Sequence, residues 1–415
     1  MKFAHMSDCH LGCWRDSVLR EAGLKCFERA IDICINEEVE FVLISGDLFE
    51  SSRPPMDVME IAVAKIKEAR DKGIRVYVIE GSHDFSPTGK TMTRVLEKTG
   101  LFTRVAEATR TADDKLRLKF TEDKTGIKIT GLIGRWGALE RTFYESLDRE
   151  SLLKEGGFKI LVFHTGLEEV KAKEEEKAKF MPISLLPKGF DYYAGGHIHR
   201  RIEHDWEGFG KIAYPGSLFP TDFRELETLR IGGFYIVTKN GEELKTEWKK
   251  LDLYQIVTVQ VNADGKSPEK LESEIRKKLE DEDVEEKIVL LRVEGRLSVG
   301  KPSDVDFRKL TQSLYTKGAL LVKRNISKLS TREYEEIRVT ASSREELEDK
   351  LIKEHAGQQK LRGLDRSAQI ELTKTIMEVL VREQKLGEHK KDYIETMKNE
   401  VVSALGLEKE WKAAE

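Results

Sequence analysis

Cysteine is nearly absent from this chain: Cys9, Cys13, Cys26 and Cys34 lie near the amino terminus, and the rest of the 415 residues hold none. They lack C-x-x-C spacing, which excludes a disulfide framework and a zinc cluster. No apolar run is long enough to span a bilayer, and no basic stretch followed by an apolar one opens the chain. A reduced, cytoplasmic protein with no membrane partner is therefore expected. Positive charge is not in excess either, since 35% of residues are charged but the formal net charge is −4. That excludes attraction to a polyanion by the molecule as a whole and leaves only local contacts. Candidates for such contacts are Arg15, Arg53, Lys90, Arg94, Arg135, Arg141, Arg200 and Arg201; the bland reading of any scattered arginine is solvated surface.

What the chain does have is a series of metal-competent side chains, nearly all placed where an apolar run stops: Asp8, His10, Asp47, Ser82, His164, His197 and His199. A strand that ends in a carboxylate or imidazole puts that group on the rim of a sheet, where open α/β sheets bind ligands. Met1 to His10 reads as a short strand, whose two-residue period points Asp8 and His10 one way and Cys9 the other. Phe41-Val42-Leu43-Ile44-Ser45 stops at Gly46-Asp47, where glycine permits a tight turn and the carboxylate reaches two cations at once. Asp47 is thus the candidate bridge. Arg75 to Glu80 leads into Gly81-Ser82-His83-Asp84, Phe158 to Phe163 into His164, and Tyr192-Tyr193-Ala194 into Gly195-Gly196-His197-Ile198-His199. The H-x-H spacing again places two imidazoles on one face of an extended segment. A single D-x-H or G-D occurs by chance in many proteins; the information lies in the order of the pieces and their shared strand-end placement. The donors are carboxylate and imidazole without sulfur, which favours manganese, iron or zinc over magnesium. Two such cations roughly 3.5–4 Å apart activate a water and neutralise a phosphate, so the pattern describes a two-metal hydrolase.

Residues 1–250 alternate buried-strand runs with helical patterns, an α/β signature. Leu24, Phe27, Ile31 and Cys34 repeat at helical spacing, and Asp57 with Glu60 forms a capping box before Val58, Ile61 and Ala62. Residues 251–341 read as strand, helix, strand, helix, strand, a small α+β domain. From Ser343 the chain turns helical. Ser343 and Glu346 make a capping box before Leu347, Leu351 and Ile352, and a stripe of Ile370, Ile376, Met377, Leu380 and Val381 follows Arg366. Residues 342–415 therefore offer amphipathic helices that either meet a partner or pack back on the preceding domain.

Asp8-x-His10, Gly46-Asp47-Leu48-Phe49, Gly81-Ser82-His83-Asp84, His164 and Gly196-His197-Ile198-His199 together resemble the ordered motifs of the calcineurin-like metallophosphoesterases. Ser51-Ser52-Arg53-Pro54-Pro55, the continuation Arg200-Arg201, and Tyr214-Pro215-Gly216-Ser217 are similar to the meiotic-recombination-eleven/SbcD nucleases within that superfamily. The resemblance implies a four-layer α/β/β/α sandwich, a capping domain that helps select DNA, and a helical tail that binds an SMC-like ABC ATPase of the Rad-fifty/SbcC type. It implies a manganese-dependent DNA nuclease for double-strand break repair, with 3′–5′ exonuclease and single-strand endonuclease activity, working as a homodimer. One ion would be held by Asp8, His10, Asp47 and His199, and the other by Asp47, Ser82, His164 and His197. His83 would be the general acid or phosphate stabiliser, with Asp84 orienting it. Ser82 departs from the family, which has asparagine there; a hydroxyl is shorter and a poorer donor to a hard cation. Two other functions remain open: a phosphatase of the same superfamily, and a DNA-bridging scaffold with a weakened second metal site.

Overall fold

The computed structural model describes the chain except residues 87, 136–138, 177, 281, 332–347, 350, 354–355, 357–364, 382–387, 389 and 407–415. The described residues form two compact units, one of residues 1–259, 281–292 and 309–325, the other of 260–280, 293–308 and 326–415.

The first unit is built on two six-stranded sheets. In chain order its strands are β1 (Lys2–Met6), β2 (Phe41–Ser45), β3 (Arg75–Ile79), β4 (Thr103–Arg104), the small hairpin β5 (Ala108–Arg110) and β6 (Leu116–Leu118), β7 (Thr121–Glu122), β8 (Lys128–Leu132), β9 (Lys159–His164), β10 (Tyr192–Gly196), β11 (Ile202–Asp205), β12 (Lys211–Tyr214), β13 (Gly232–Asn240) and β14 (Glu243–Leu251). One sheet runs β14-β13-β1-β2-β3-β4 and the other β11-β12-β10-β9-β8-β7. The central strands β1 to β3 and β8 to β10 run parallel within their sheets. Parallel strands buried on both faces read as continuous apolar runs, which is why Phe41–Ser45 and Lys159–His164 are buried along their whole length.

Side-chain alternation divides the core. Phe3, Phe41, Leu43, Ile79, Ile160, Val162 and Tyr192 fill the space between the sheets. Ala4, Met6, Val42, Ile44 and Val78 point the other way, onto α1 (Ser17–Asn36) and α2 (Met56–Asp71). The second sheet is covered outside by a cluster that includes Tyr144, Leu147 and Leu152, from α4 (Arg141–Glu145), the turn after it and α5 (Arg149–Lys154); α3 (Met92–Lys98) precedes β4. This is the expected four-layer α/β/β/α sandwich. The stripe Leu24, Phe27, Ile31 and Cys34 is the buried face of α1. The capping box on Asp57 is not formed: α2 starts two residues earlier with Pro55 at its N-cap, so Asp57 lies inside the first turn. All four cysteines are free thiols.

Further along come β15 (Ile256–Asn262), α7 (Pro268–Glu280), β16 (Ile288–Leu297), α8 (Phe307–Thr316), β17 (Leu321–Asn325) and β18 (Leu329–Thr331), in the order the sequence suggested with one added strand. In the first unit Ile288–Arg292 pairs in parallel with β17, and in the second Gly295–Leu297 pairs in parallel with β18. Two helices, Arg366–Val381 and Lys390–Ala404, follow. Leu380 and Val381 of the expected stripe are exposed, and the capping box of Ser343 and Glu346 with Leu347 lies outside the described residues. Among the described residues no helix is long and apolar enough to cross a membrane.

Candidate metal centre

All seven candidate ligands come from the first unit, at the carboxyl ends of β1, β2, β3, β9 and β10. The local geometry differs from the extended one read from the two-residue period. β1 ends at Met6, and Asp8 and His10 adopt φ of +49° and +43°. Asp47 is at +50° and His197 at +85°. Left-handed backbone costs a non-glycine residue on the order of 1–3 kcal/mol, a strain that surrounding structure must over-determine. It does so here by backbone pairing past the strand ends: Asp8 N donates to Gly46 O at 3.1 Å, His10 N to Asp47 O at 2.9 Å, and Leu11 N to Leu48 O at 3.1 Å. Gly81 leaves room for Asp47, since a Cβ there would fall 2.2 Å from the Asp47 Oδ1 atom.

Three imidazoles are anchored through Nδ1, which leaves Nε2 turned inward. His10 Nδ1 lies 2.8 Å from Glu50 Oε2, His199 Nδ1 lies 2.6 Å from Glu225 Oε1, and His164 Nδ1 donates to Ser45 O at 2.8 Å. An outer partner on one ring nitrogen is the usual way a ligating histidine is oriented. The freed nitrogens converge on carboxylates. The Nε2 atoms of His10 and His199 are 3.1 Å apart; Asp47 Oδ2 lies 3.1 Å from His164 Nε2 and 3.7 Å from His10 Nε2. Asp8 Oδ1 lies 3.7 Å from His199 Nε2 and 4.0 Å from His164 Nε2. His164 Nε2 is buried beside Asp47 Oδ2 but out of hydrogen-bond alignment with it, a polar atom of the kind a cation would satisfy. Among the described residues three ligand groups result: Asp8 with His10 and His199, Asp8 with Asp47 and His164, and His10 with Glu50 and His83. The residues therefore fit divalent metal, with Asp8 shared by the first two groups and Asp47 approaching histidines of both.

The charges agree. Burial alone would raise Asp47, but the His164, His10 and His83 rings outweigh it and hold the carboxyl far below its ordinary range. Burial would lower His164 and His199; Asp47 instead lifts the first to about 10 and Glu225 the second to about 9. Burial would also raise Glu50 and Glu225, yet His10 and His199 respectively bring each down to about 2. The clustered carboxylates thus attract positive charge.

Each remaining residue has a definite place. Ser82 is buried and its hydroxyl donates to Asp47 Oδ2 at 3.3 Å. The His197 backbone N–H donates to both carboxylate oxygens of Asp8, at 3.0 and 3.1 Å, and its ring lies 5.3 Å from that of His164 in a residue exposed to solvent. The His83 N–H donates to Asp47 Oδ1 at 2.7 Å, and its Nδ1 meets Glu50 O at 3.0 Å. Asp84 is buried. Its carboxylate accepts from the backbone N–H groups of Leu48, Phe49 and Gly81, because the turn at residues 82–84 directs it inward to tie the two ligand loops together. Burial and then Asp47 raise it to about 7. Cys9 packs in the core. Ser217 of Tyr214-Pro215-Gly216-Ser217 donates its N–H to His199 O at 3.1 Å, which fixes the backbone of that histidine.

Glu50 and Glu225 are the residues the motif reading missed. Glu225 did carry a signal: Asp222 and Glu225 have capping-box spacing, and Asp222 caps α6 (Phe223–Thr228) by accepting from the Glu225 N–H at 2.8 Å. Glu50 directly follows Gly46-Asp47-Leu48-Phe49 and carried none beyond that adjacency.

Of the basic candidates, Arg53, Lys90 and Arg94 line one cavity of about 590 Å³ together with Lys98, Arg104 and Glu97. Arg15 is exposed ahead of α1. The other four are engaged by protein: Arg135 lies over Phe85 and Phe143, Arg141 pairs with Glu145, Arg200 with Glu175, and Arg201 lies over Tyr235 and Trp248.

Residues 1–201 match the family model described as calcineurin-like phosphoesterase. Three curated relatives share the name DNA double-strand break repair protein Mre11. The Methanocaldococcus jannaschii protein is 31% identical over 64% of this chain and 70% of its own length. The Sulfurisphaera tokodaii protein is 31% identical over 60% of this chain and 67% of its own. The Methanopyrus kandleri protein is 26% identical over 67% of this chain, which spans 62% of that relative.

Proposed function

Because the chain belongs to the Mre11 family of calcineurin-like metallophosphoesterases, we propose that it is a two-metal DNA nuclease acting in double-strand break repair. The observation that carries this reading is the convergence of three outward-anchored imidazoles on two buried carboxylates, with His164 Nε2 buried beside Asp47 Oδ2. Asp8, His10, Asp47 and His199 would hold one cation, and Asp47, Ser82, His164 and His197 the other, with manganese the best match to the donor set. When bound, the two ions supply charge neutralisation on the phosphate and activation of water.

The chain's own residues supply the proton. A carbonyl oxygen only accepts, so His83 Nδ1 must donate to Glu50 O. In the charged ring Nε2 also carries a proton and can deliver it to the leaving oxygen. Burial opposes that charge, but the Glu50 carboxylate and then Asp47 raise the His83 pKa above its ordinary value. The cavity lined by Arg53, Lys90, Arg94 and Lys98 supports a polyanionic substrate. Residues 251–341 are read as a DNA-selecting cap and 342–415 as the seat of an SMC-like ABC ATPase, in a cytoplasmic homodimer.

The test is a manganese-dependent assay on end-labelled single- and double-stranded DNA. Turnover of a nitrophenyl phosphate monoester without nucleolysis would indicate a phosphatase, and DNA binding without cleavage a scaffold. His83→Ala is expected to keep metal and DNA binding while losing about 100-fold or more in turnover, as removal of a general acid does. Loss of bound metal in that variant would instead make His83 a ligand.

A further inference from the structure

We infer that Arg292 is a positioning residue for His199, acting through the short helix α6. The inference rests on the reading of His199 as a metal ligand.

Two carboxylates leave α6 in different directions. Residues two apart on an α-helix are rotated by about 200°, so Glu225 and Glu227 lie on nearly opposite sides. Glu225 faces the metal centre: Oε1 holds His199 Nδ1 at 2.6 Å, while Oε2 accepts from the Thr221 N–H at 2.7 Å and the Thr221 hydroxyl at 2.9 Å. Glu227 faces β16, where Arg292 Nε lies 2.9 Å from each of its carboxylate oxygens and Nη2 also pairs with Oε2. The Arg292 guanidinium also stands 5.2 Å from the ring centroid of Phe223 on the same helix. The pair is nearly buried, with side chains 16% and 7% exposed. Arg292 therefore grips α6 at two points, by a planar fork and by a ring face, a combination that lysine cannot reproduce.

The grip matters because α6 has only six residues. One turn and a half of helix has no stability of its own, so its orientation is set by what it packs against. Leu226 is its single fully buried apolar side chain, and Arg292 supplies the directional constraint. Arg292 is itself held firmly, since Ile288–Arg292 pairs in parallel with β17 and Ile288 and Leu290 are core residues. A shift of Glu225 by a few tenths of an ångström would re-aim the His199 ring. Arg292 is also the last residue of the first unit on a strand that continues to Leu297 in the second. The residue that steadies α6 thus stands where the chain passes from one unit to the other.

The test uses the full chain, stripped of metal and titrated with manganese by calorimetry, beside melting temperature and the kcat and KM for DNA. Arg292→Met is expected to weaken manganese binding about 3- to 10-fold, somewhat less than loss of a direct partner of a ligand. It should lower kcat while leaving KM for DNA within about twofold. Arg292→Lys, which keeps the charge and loses the fork, should fall between Arg292→Met and the parent, and it carries the comparison if Arg292→Met fails to fold. A lowered melting temperature with unchanged manganese affinity would overturn the inference by making the pair purely structural. His199→Ala separates the two levels. If it binds manganese as the parent does, the ligand reading fails and this inference with it; if it binds weakly while Arg292→Met binds normally, only the inference fails.

Discussion

Asp8, His10, Asp47 and His197 all hold left-handed backbone, and this is where residue-by-residue reading of the sequence stops. The motifs named the residues that meet at the centre, but the reason offered, an extended segment with a two-residue period, does not hold at Asp8-x-His10 or His197-x-His199. Aspartate and histidine enter the left-handed region more readily than most non-glycine residues, but which of them do so is imposed by the neighbouring loops through bonds such as His10 N to Asp47 O. The carboxylates Glu50 and Glu225 escaped for a related reason, because they act on ligands remote in sequence or by loop packing. Asp47 Oδ2 approaches both His164 and His10, so Asp47→Ala should lose both cations by elemental analysis, whereas His10→Ala should mainly weaken one. One ion per chain retained in the Asp47 variant would contradict a bridging role. Ser82 spends its short hydroxyl on Asp47 Oδ2. An asparagine amide reaches one bond farther and offers a stronger dipole to a hard cation. Ser82→Asn should therefore lower the manganese concentration needed for half-maximal nuclease rate, with the first site unchanged in parallel occupancy measurements. A variant needing more manganese than the parent would sink the idea that serine is the weak point.

Elements were more legible than ligand geometry wherever a long apolar period existed. The α1 stripe and the buried runs of β2 and β9 needed only local pattern, whereas the start of α2 at Met56 and the end of β1 at Met6 fell where the apolar period marks no boundary. How the two sheets are pinned together was not legible, because it depends on groups that meet only in the fold. Asp123, just after β7, is buried and accepts from Arg75 Nε at 3.0 Å, Arg75 Nη2 at 2.8 Å and the Tyr77 hydroxyl at 2.7 Å, all from β3 of the other sheet. Burial would raise its pKa, but Arg75 and the Thr125 N–H bring it down to about 2. A depressed carboxylate stabilises the fold above its unfolded pKa of about 3.9, and that stability is lost as pH falls through about 2. Asp123→Ala leaves Arg75 and Tyr77 without their shared partner and should cost about 3 kcal/mol at pH 7. The gap between parent and variant in urea unfolding should shrink between pH 4 and pH 2. A gap that stays constant across that window would show the ion pair contributes nothing to the loss.

For the whole molecule the informative number was the net charge of −4, which rules out attraction to DNA by the surface at large and requires any basic contact to be concentrated. The sequence suggested eight candidate cations without saying which act together. Folding spends Arg135, Arg141, Arg200 and Arg201 on rings and carboxylates and gathers Arg53, Lys90 and Arg94 with Lys98, which no motif had marked, around one cavity. Proximity across a fold is what a linear charge count lacks. Arg94 approaches Glu80 at 3.9 Å, so Arg53, Lys90 and Lys98 are the better probes. Each phosphate contact made by such a side chain releases about one counterion, contributing about 0.9 to the slope of log affinity against log salt on duplex DNA. Replacing Arg53, Lys90 and Lys98 together by glutamine should lower DNA affinity most at low salt and flatten that slope by about 2 to 3. Metal content and the rate at saturating DNA should be preserved, because none of the three is a candidate ligand. Fluorescence anisotropy of a labelled duplex across a salt series measures the slope directly. An unchanged slope would mean that the DNA path avoids this cavity, and that the −4 chain meets its phosphates through the metal centre and other cations.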